Sequence, residues 1–430
     1  MKIAIVTSFQ DFNESYSLSG IVKDQVRMFS KYGDEITLFV CERFNDAHLK
    51  WFEIFNVKVK KIIPFGHLFD YQAKEQLQPE HKELAIKTEM VLTEELKGFD
   101  IVIDHDLCFQ GWHYPYQIGI VETSRKYLNI PFVHWIHSIP SGMKDIWDIK
   151  DMGRNNYLAY PNATDQLRIA EQYKGRISDV RIFPHIKDIR SFFDFHPDTV
   201  RFIDRYPAVM QHEIICILPA STDKLGSKGL NVTIPIMGWI KKAGYSVCLV
   251  AMNQFCTTTQ PKQNIEPYKD MAVSEGLEIG KDFIFTSEFE PPDFEIGLHK
   301  RMVRELMQLS TIFIYATQCE SFGLVIPEIS LSSGALMVLN ASLAPLREVI
   351  SNYALWFDFG SHCQRHHIEN KHDYYKQIAQ IIMGSVLKND ALKAKIYFRM
   401  TNNFDYLYKR YYRPIFSELI HNHQEIRSKR

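Results

Sequence analysis

Residues 311–334 read TIFIYATQCESFGLVIPEISLSSG, one strand–turn–helix unit in 24 residues. The run Thr311–Thr317 is apolar and rich in β-branched and aromatic side chains, which gives it strand character. After a short polar stretch, Pro327 and Gly334 stand where a helix over 326–333 has its first turn and its stop. A strand that passes through a tight turn into a helix is the repeating piece of a parallel α/β sheet. Backbone N–H groups at such a helix entrance lack intrahelical partners, and suit phosphate or sugar hydroxyls. Gly323 lets a ligand approach that backbone closely. Two carboxylates, Glu320 and Glu328, bracket the turn. They admit three readings: a glycosidase pair with carboxyls roughly 5–9.5 Å apart, a ligand clamp, or, for Glu328, complementation of the helix dipole.

The same rhythm runs through the rest of the chain. Upstream, the strand-like runs are 2–9, 35–41, 57–65, 100–106 and 131–138, with helical periodicity over 21–33 and 82–98 between them. It restarts with 213–221, 245–252, 283–288, 311–317, 335–340 and 354–359. Between the two series, 190–212 breaks the alternation. The expected fold class is therefore α/β, two Rossmann-like doubly wound domains facing a cleft. The expected boundaries are 1–200, 201–405 and a helical tail, 406–430, returning to the first domain.

At 430 residues the chain is too long for one ordinary core. Its net charge of -1 gives no global pull toward polyanions. No apolar run is long enough to span a bilayer, and MKIAIVTSF is too short and wrongly flanked for a signal peptide, so stable membrane insertion is not expected. The seven cysteines are scattered without paired spacing, which points to a reducing, cytoplasmic location.

A second strand-to-helix loop, PASTDKLGSKGL (219–230), carries Ser221, Lys224 and Lys228. Its glycine-to-lysine spacing is not that of a Walker loop, but two lysines there would neutralise a diphosphate. In HWIHS, His134 and His137 face opposite sides of a strand, and His137, at the carboxyl end, is the better ligand contact. Asp104-His105-Asp106 spells an Asp-x-Asp without further ligands nearby, and 361–372 concentrates histidines without ordered metal-ligand spacing; neither is read as a metal site.

With these pieces in order, the chain resembles the GT-B glycosyltransferases, and within them the retaining family-four group. ESFGLVIPE is similar to that group's Glu-x7-Glu motif, SKGL (227–230) to its Lys-Gly, and PFVHWIHS to the strand that ends in its active-site histidine. Residues 157–173 are similar to the following strand and helix, and SLSG (17–20) to an N-terminal glycine loop. The resemblance implies metal-independent transfer of a sugar from a nucleotide-diphosphate sugar, a UDP-sugar first of all, with retention of configuration. It gives Glu320 the donor sugar's hydroxyls, Phe322, Gly323 and Leu324 backbone contacts to sugar and phosphate, and Glu328 the ribose. Lys228 would neutralise the departing diphosphate, Gly20 would admit it closely, and His137 would touch the transferred sugar. Ser221 and Lys224 complete the donor set. The chain departs from the group in lacking an arginine before Lys-Gly, where Lys224 is the substitute, and in reading GALMV and PHIKD where Gly-x-Pro and Asn-Gly are usual.

The acceptor is set by the N-terminal half, where 104–117 offers aromatics and polar groups at a strand end. A saccharide or small molecule is the expected acceptor. Residues 388–430 hold ten Lys+Arg against four Asp+Glu, and aromatics interleave with the basic residues of FRMTNNFDYLYKRYYRP. That leaves two alternatives: a phage-type enzyme acting on modified DNA bases, and a silent homologue that only binds nucleotide sugars.

Overall fold

The computed structural model describes residues 1–12, 16–53, 55–64, 66, 74–107, 113–138, 152–254, 264–363 and 370–428. The chain divides into two compact units, Met1–Asp188 with Phe404–Arg430, and Ile189–Asn403.

In the first unit, β1 (Lys2–Val6), β2 (Glu35–Cys41), β3 (Lys58–Ile63), β4 (Ile101–His105), β5 (Phe132–Trp135), β6 (Asn156–Tyr160) and β7 (Val180–Ile182) form one sheet. Its order is β3-β2-β1-β4-β5-β6-β7, and every pairing is parallel. Helices cover both faces of such a sheet, so its central strands must be apolar throughout. Ile3, Ala4, Ile5 and Val6 are accordingly all fully buried. The edge strand β3 is the lysine-rich KVKKII, whose charges discourage pairing with another sheet edge. Periodicity did not reveal β7, which is three residues long.

The sequence boundary at 200/201 differs from the observed division at Asp188/Ile189. The reason is packing: Phe195 belongs to the second unit's core, and Ile189 and Val200 pack against that core. The tail returns to the first unit, where Leu407, Tyr408, Tyr412, Phe416 and Leu419 share a core with Ile5, Phe29 and Trp135. Tyr408 stacks on Tyr32 at 3.9 Å and donates to Asp34 Oδ2 at 2.8 Å, while Tyr412 donates to the Pro184 carbonyl at 3.0 Å. Burying a large side chain is worth about 1.5–3 kcal/mol. Tyr408, Tyr412 and Phe416 of the basic tail therefore act as core residues, not as a stacking platform for nucleic acid.

The second unit contains β8 (Ile214–Ser221), β9 (Val247–Gln254), β10 (Phe283–Phe285), β11 (Ile312–Tyr315), β12 (Leu336–Asn340) and β13 (Leu355–Phe357). Their order is β10-β9-β8-β11-β12-β13, again all parallel. Both sheets thus have the doubly wound order, with a topological switch between β1 and β4 in one and β8 and β11 in the other. Ligands of open α/β sheets bind beyond the carboxyl ends of the strands at this switch. No helix among the described residues is long and apolar enough to cross a membrane.

Candidate active site

At the second unit's switch, β8 leads into the helix Leu230–Lys242 and β11 into the helix Val325–Ser333. The two connecting loops touch. Gly229 has φ +87°, and a Cβ built on it would lie 2.6 Å from the carbonyl carbon and oxygen of Ala316. No side chain fits there, which is the physical reason for the glycine of SKGL. Gln318 N–H donates to the Ser227 carbonyl at 2.8 Å, and Thr317 Oγ1 donates to the same oxygen at 3.3 Å.

This contact brings the Lys228 side chain to the end of β11. Its Nζ lies 2.5 Å from Glu320 Oε2 and 3.0 Å from the Tyr315 hydroxyl oxygen. The Tyr315 hydroxyl donates to the same Glu320 oxygen at 2.5 Å, closing a triangle. Burial acts to raise the Glu320 carboxyl pKa, but hydrogen bonds from Lys228 and Tyr315, with the lysine's charge, outweigh it and hold the group below its usual range. Burial, and then donation to this carboxylate, pushes the Tyr315 phenol up. At neutral pH Glu320 is thus an anion and Tyr315 keeps its proton. Tyr315 escaped the sequence reading, because a tyrosine ending an apolar strand looks like core. Asn340 escaped it too. Its buried amide donates to the Thr317 and Gly360 carbonyls at 2.8 and 2.7 Å and accepts from Ser342 and Phe359 N–H groups, each at 3.0 Å, clasping the ends of three strands.

The two helix entrances differ. Ahead of Leu230–Lys242, the amides of Lys228, Gly229 and Leu230 already donate to carbonyls of Lys224, Gly226 and Leu225. What remains for a ligand is the Lys228 side chain, with Lys224 exposed and Ser221 half-buried earlier in the loop. Ahead of Val325–Ser333, the amides of Phe322, Gly323 and Leu324 find no acceptor among the described residues. Phe322 and Leu324 are exposed around Gly323, whose φ is +81°. The helix closes on Gly334 in the left-handed conformation, and Glu328 lies in its first turn, exposed. Lys228, Glu320, Phe322, Gly323 and Leu324 are therefore drawn around one loop pair, with Glu328 one turn along the helix.

Gly20 and His137 belong to the first unit. Gly20 lies within the helix Ser17–Lys31, so the expected glycine loop at 17–20 is a helix's opening turn, with nothing within 4 Å of a Cβ at Gly20. Tyr16, in the extended conformation, is the N-cap of this helix. In HWIHS, His134 is fully buried between Asp104 Oδ2, 2.5 Å from its Nδ1, and Asn156 Oδ1, 2.7 Å from its Nε2. His137 emerges at the strand's end, its N–H donating to Asp106 Oδ1 at 2.9 Å. Both carboxylates of Asp104-His105-Asp106 are thus engaged with the neighbouring strand.

A hydrogen-bond chain sets the state of His137. Gln25 Oε1, which can only accept, lies 3.0 Å from His105 Nε2, and His105 Nδ1 lies 2.8 Å from His137 Nε2. Burial, then neighbouring imidazoles, depresses the pKa of His105 to about 3 and that of His137 well below its ordinary value. Two neutral rings in this order put protons on both Nε2 atoms. His137 Nδ1 is then a buried lone pair with no partner among the described residues.

Of the side chains described, His196, Asp198 and His299 cluster closely enough to suggest a metal. Each imidazole, however, accepts a backbone N–H on Nδ1, His196 from Asp198 and His299 from Met302, both at 3.2 Å. Nδ1 of each ring is thereby committed to capping a helix. Residues 108–112 of the aromatic segment 104–117 and residues 364–369 of the histidine-rich segment lie outside the described residues.

No family model matches the chain, and no curated protein matches it in sequence. Among solved structures it is similar to a glycosyltransferase from Rickettsia africae, at 14% identity over 97% of this chain and 99% of that one, with a TM-score of 0.38. It is also similar to Anabaena HepE in complex with UDP and glucose, at 15% identity over the whole of both chains and a TM-score of 0.33. A UDP-forming trehalose-phosphate synthase from Burkholderia xenovorans aligns at 13% identity over 98% of this chain and 99% of that one, with a TM-score of 0.35. Likenesses this distant leave the chemistry to the residues of the site itself.

Proposed function

We propose that the protein is a glycosyltransferase that takes its sugar from a nucleotide-diphosphate donor held by the second unit. The observation that carries this reading is the pairing of Lys228 with Glu320 beside the amides of Phe322, Gly323 and Leu324, which have no acceptor among the described residues, at the switch point of a doubly wound sheet. A cation and backbone donors match a diphosphate. An ionised carboxylate matches sugar hydroxyls, and Glu328, exposed in the next helix turn, suits the ribose. When the bond between the anomeric carbon and the phosphate oxygen breaks, negative charge grows on the diphosphate. Lys228 and the amides then hold it more strongly than in the ground state, which lowers the barrier. The reading includes retention of configuration, no metal requirement, and a saccharide or small-molecule acceptor.

A thermal-shift screen with UDP-, GDP- and ADP-sugars tests the donor, because a bound ligand stabilises the fold by mass action. The expected result is stabilisation by one nucleotide class, UDP-sugars first, and donor turnover that Glu320→Ala abolishes without lowering the melting temperature. Activity unchanged by a chelator and an unchanged anomeric configuration in the product complete the reading. Stabilisation by nucleotide sugars without turnover or donor hydrolysis would favour the silent binder instead.

A further inference from the structure

Counting donors and acceptors in the Lys228–Glu320–Tyr315 triangle assigns Tyr315 a task of its own. The ammonium of Lys228 has three N–H groups, of which one goes to Glu320 Oε2 and one to the Tyr315 oxygen. The single phenolic proton of Tyr315 also goes to Oε2. Oε2 therefore carries two charge-assisted bonds, while among the described residues Oε1 has only a 3.3 Å contact from the Ser321 N–H at an exposed position. Without the phenol, the carboxylate would be free to rotate and chelate Lys228 with both oxygens. Tyr315 is itself buried at the end of β11, so its ring cannot swing away from this task.

We propose that Tyr315 is a positioning residue for donor recognition, confining the Lys228–Glu320 contact to Oε2 so that each partner keeps a group for the donor: one lysine N–H for the diphosphate, and Glu320 Oε1 for hydroxyls of the sugar. The inference rests on the donor reading above and deepens it. It places sugar discrimination, as distinct from nucleotide affinity, on a residue that touches neither part of the donor.

The test is Tyr315→Phe, which removes one oxygen and keeps the ring. Titration calorimetry would compare the nucleotide sugar that most stabilises the wild type with its own nucleoside diphosphate. The preference for the sugar-bearing ligand should fall about tenfold, the size expected for a hydrogen bond to a charged group, with diphosphate affinity changed less than about threefold. The acid limb of nucleotide-sugar binding should move to higher pH, because Glu320 loses a bond that favours its anion. Adding Glu320→Gln to Tyr315→Phe should cost no more preference than Glu320→Gln alone. An unchanged preference and acid limb, or equal weakening of both ligands, overturns the inference while leaving the donor reading in place. A wild type that responds to no nucleotide sugar overturns both.

Discussion

Lys228 and Glu320 meet at 2.5 Å across 92 residues of sequence, on loops that follow neighbouring strands. Removing either partner has a different consequence. Lys228→Met should weaken nucleoside diphosphate binding by about 30- to 150-fold, the loss of one charge-assisted contact of roughly 2–3 kcal/mol. Glu320→Ala should leave that binding intact, or tighten it, because the lysine is no longer neutralised, while turnover disappears. Titration with UDP and the cognate donor checks both. Loss of diphosphate binding in folded Glu320→Ala would show that the carboxylate is structural.

Gly229 and Gly20 offer a matched pair. Gly229→Ala forces a Cβ to within 2.6 Å of the Ala316 main chain at positive φ, with backbone on both sides of the contact. It should destabilise the protein by more than about 2 kcal/mol and weaken donor binding, since this contact carries Lys228 to Glu320. Gly20→Ala meets open space in a helix and should be neutral or stabilising by up to about 1 kcal/mol. Urea unfolding measures both. Loss of turnover in a stable Gly20→Ala variant would restore the role that the resemblance gives this glycine; full activity would remove it.

The strands were legible because a sheet covered on both faces writes itself as unbroken apolar runs, as in EIICIL and TIFIY. The helix stops at Gly33 and Gly334 were legible because only glycine takes positive φ without cost. The site was legible as residue types at strand ends, but not as contacts. Nothing local indicates that Tyr315 donates to Glu320, that Asn340 clasps three strand ends, or that His105 fixes the tautomer of His137. Each depends on a neighbour dozens of residues away or on the pitch of a turn. The Gly20 loop was misplaced for a related reason: SLSG allows either a loop or a helix start, and the packing of Leu18, Val22 and Val26 into the core chooses the helix.

The chain from Gln25 to His137 can be read directly by nitrogen chemical shifts. In the wild type both His105 and His137 should show the Nε2-protonated tautomer at neutral pH. Gln25→Leu removes the acceptor that starts the chain, so the His137 resonances should broaden or shift toward a mixture, and stability should fall by about 1–3 kcal/mol because the buried His105 Nε2–H loses its acceptor. A wild-type His137 already protonated on Nδ1 would reverse the direction of the chain and remove its Nδ1 as an acceptor.

Asp24, the residue before Gln25, makes the pH dependence testable. Burial, and next the nearby Asp188 carboxylate, raises its pKa to about 6, despite a backbone N–H from Asp188 at 3.3 Å and Arg27 at 3.4 Å. In the unfolded chain an aspartate titrates near 3.9. Between these values the folded protein holds a proton that the unfolded chain has released, so this group's contribution is greatest below about pH 4 and is lost as pH rises through about 6. Asp24→Asn removes the titration. Relative to the wild type, the variant should therefore gain stability on going from pH 4 to pH 7, by an amount on the order of 2 kcal/mol. Urea midpoints measured in parallel at pH 4, 5, 6 and 7 give the curve. A difference between variant and wild type that stays flat across this range would mean that Asp24 is ionised in the folded protein throughout, with Arg27 outweighing Asp188.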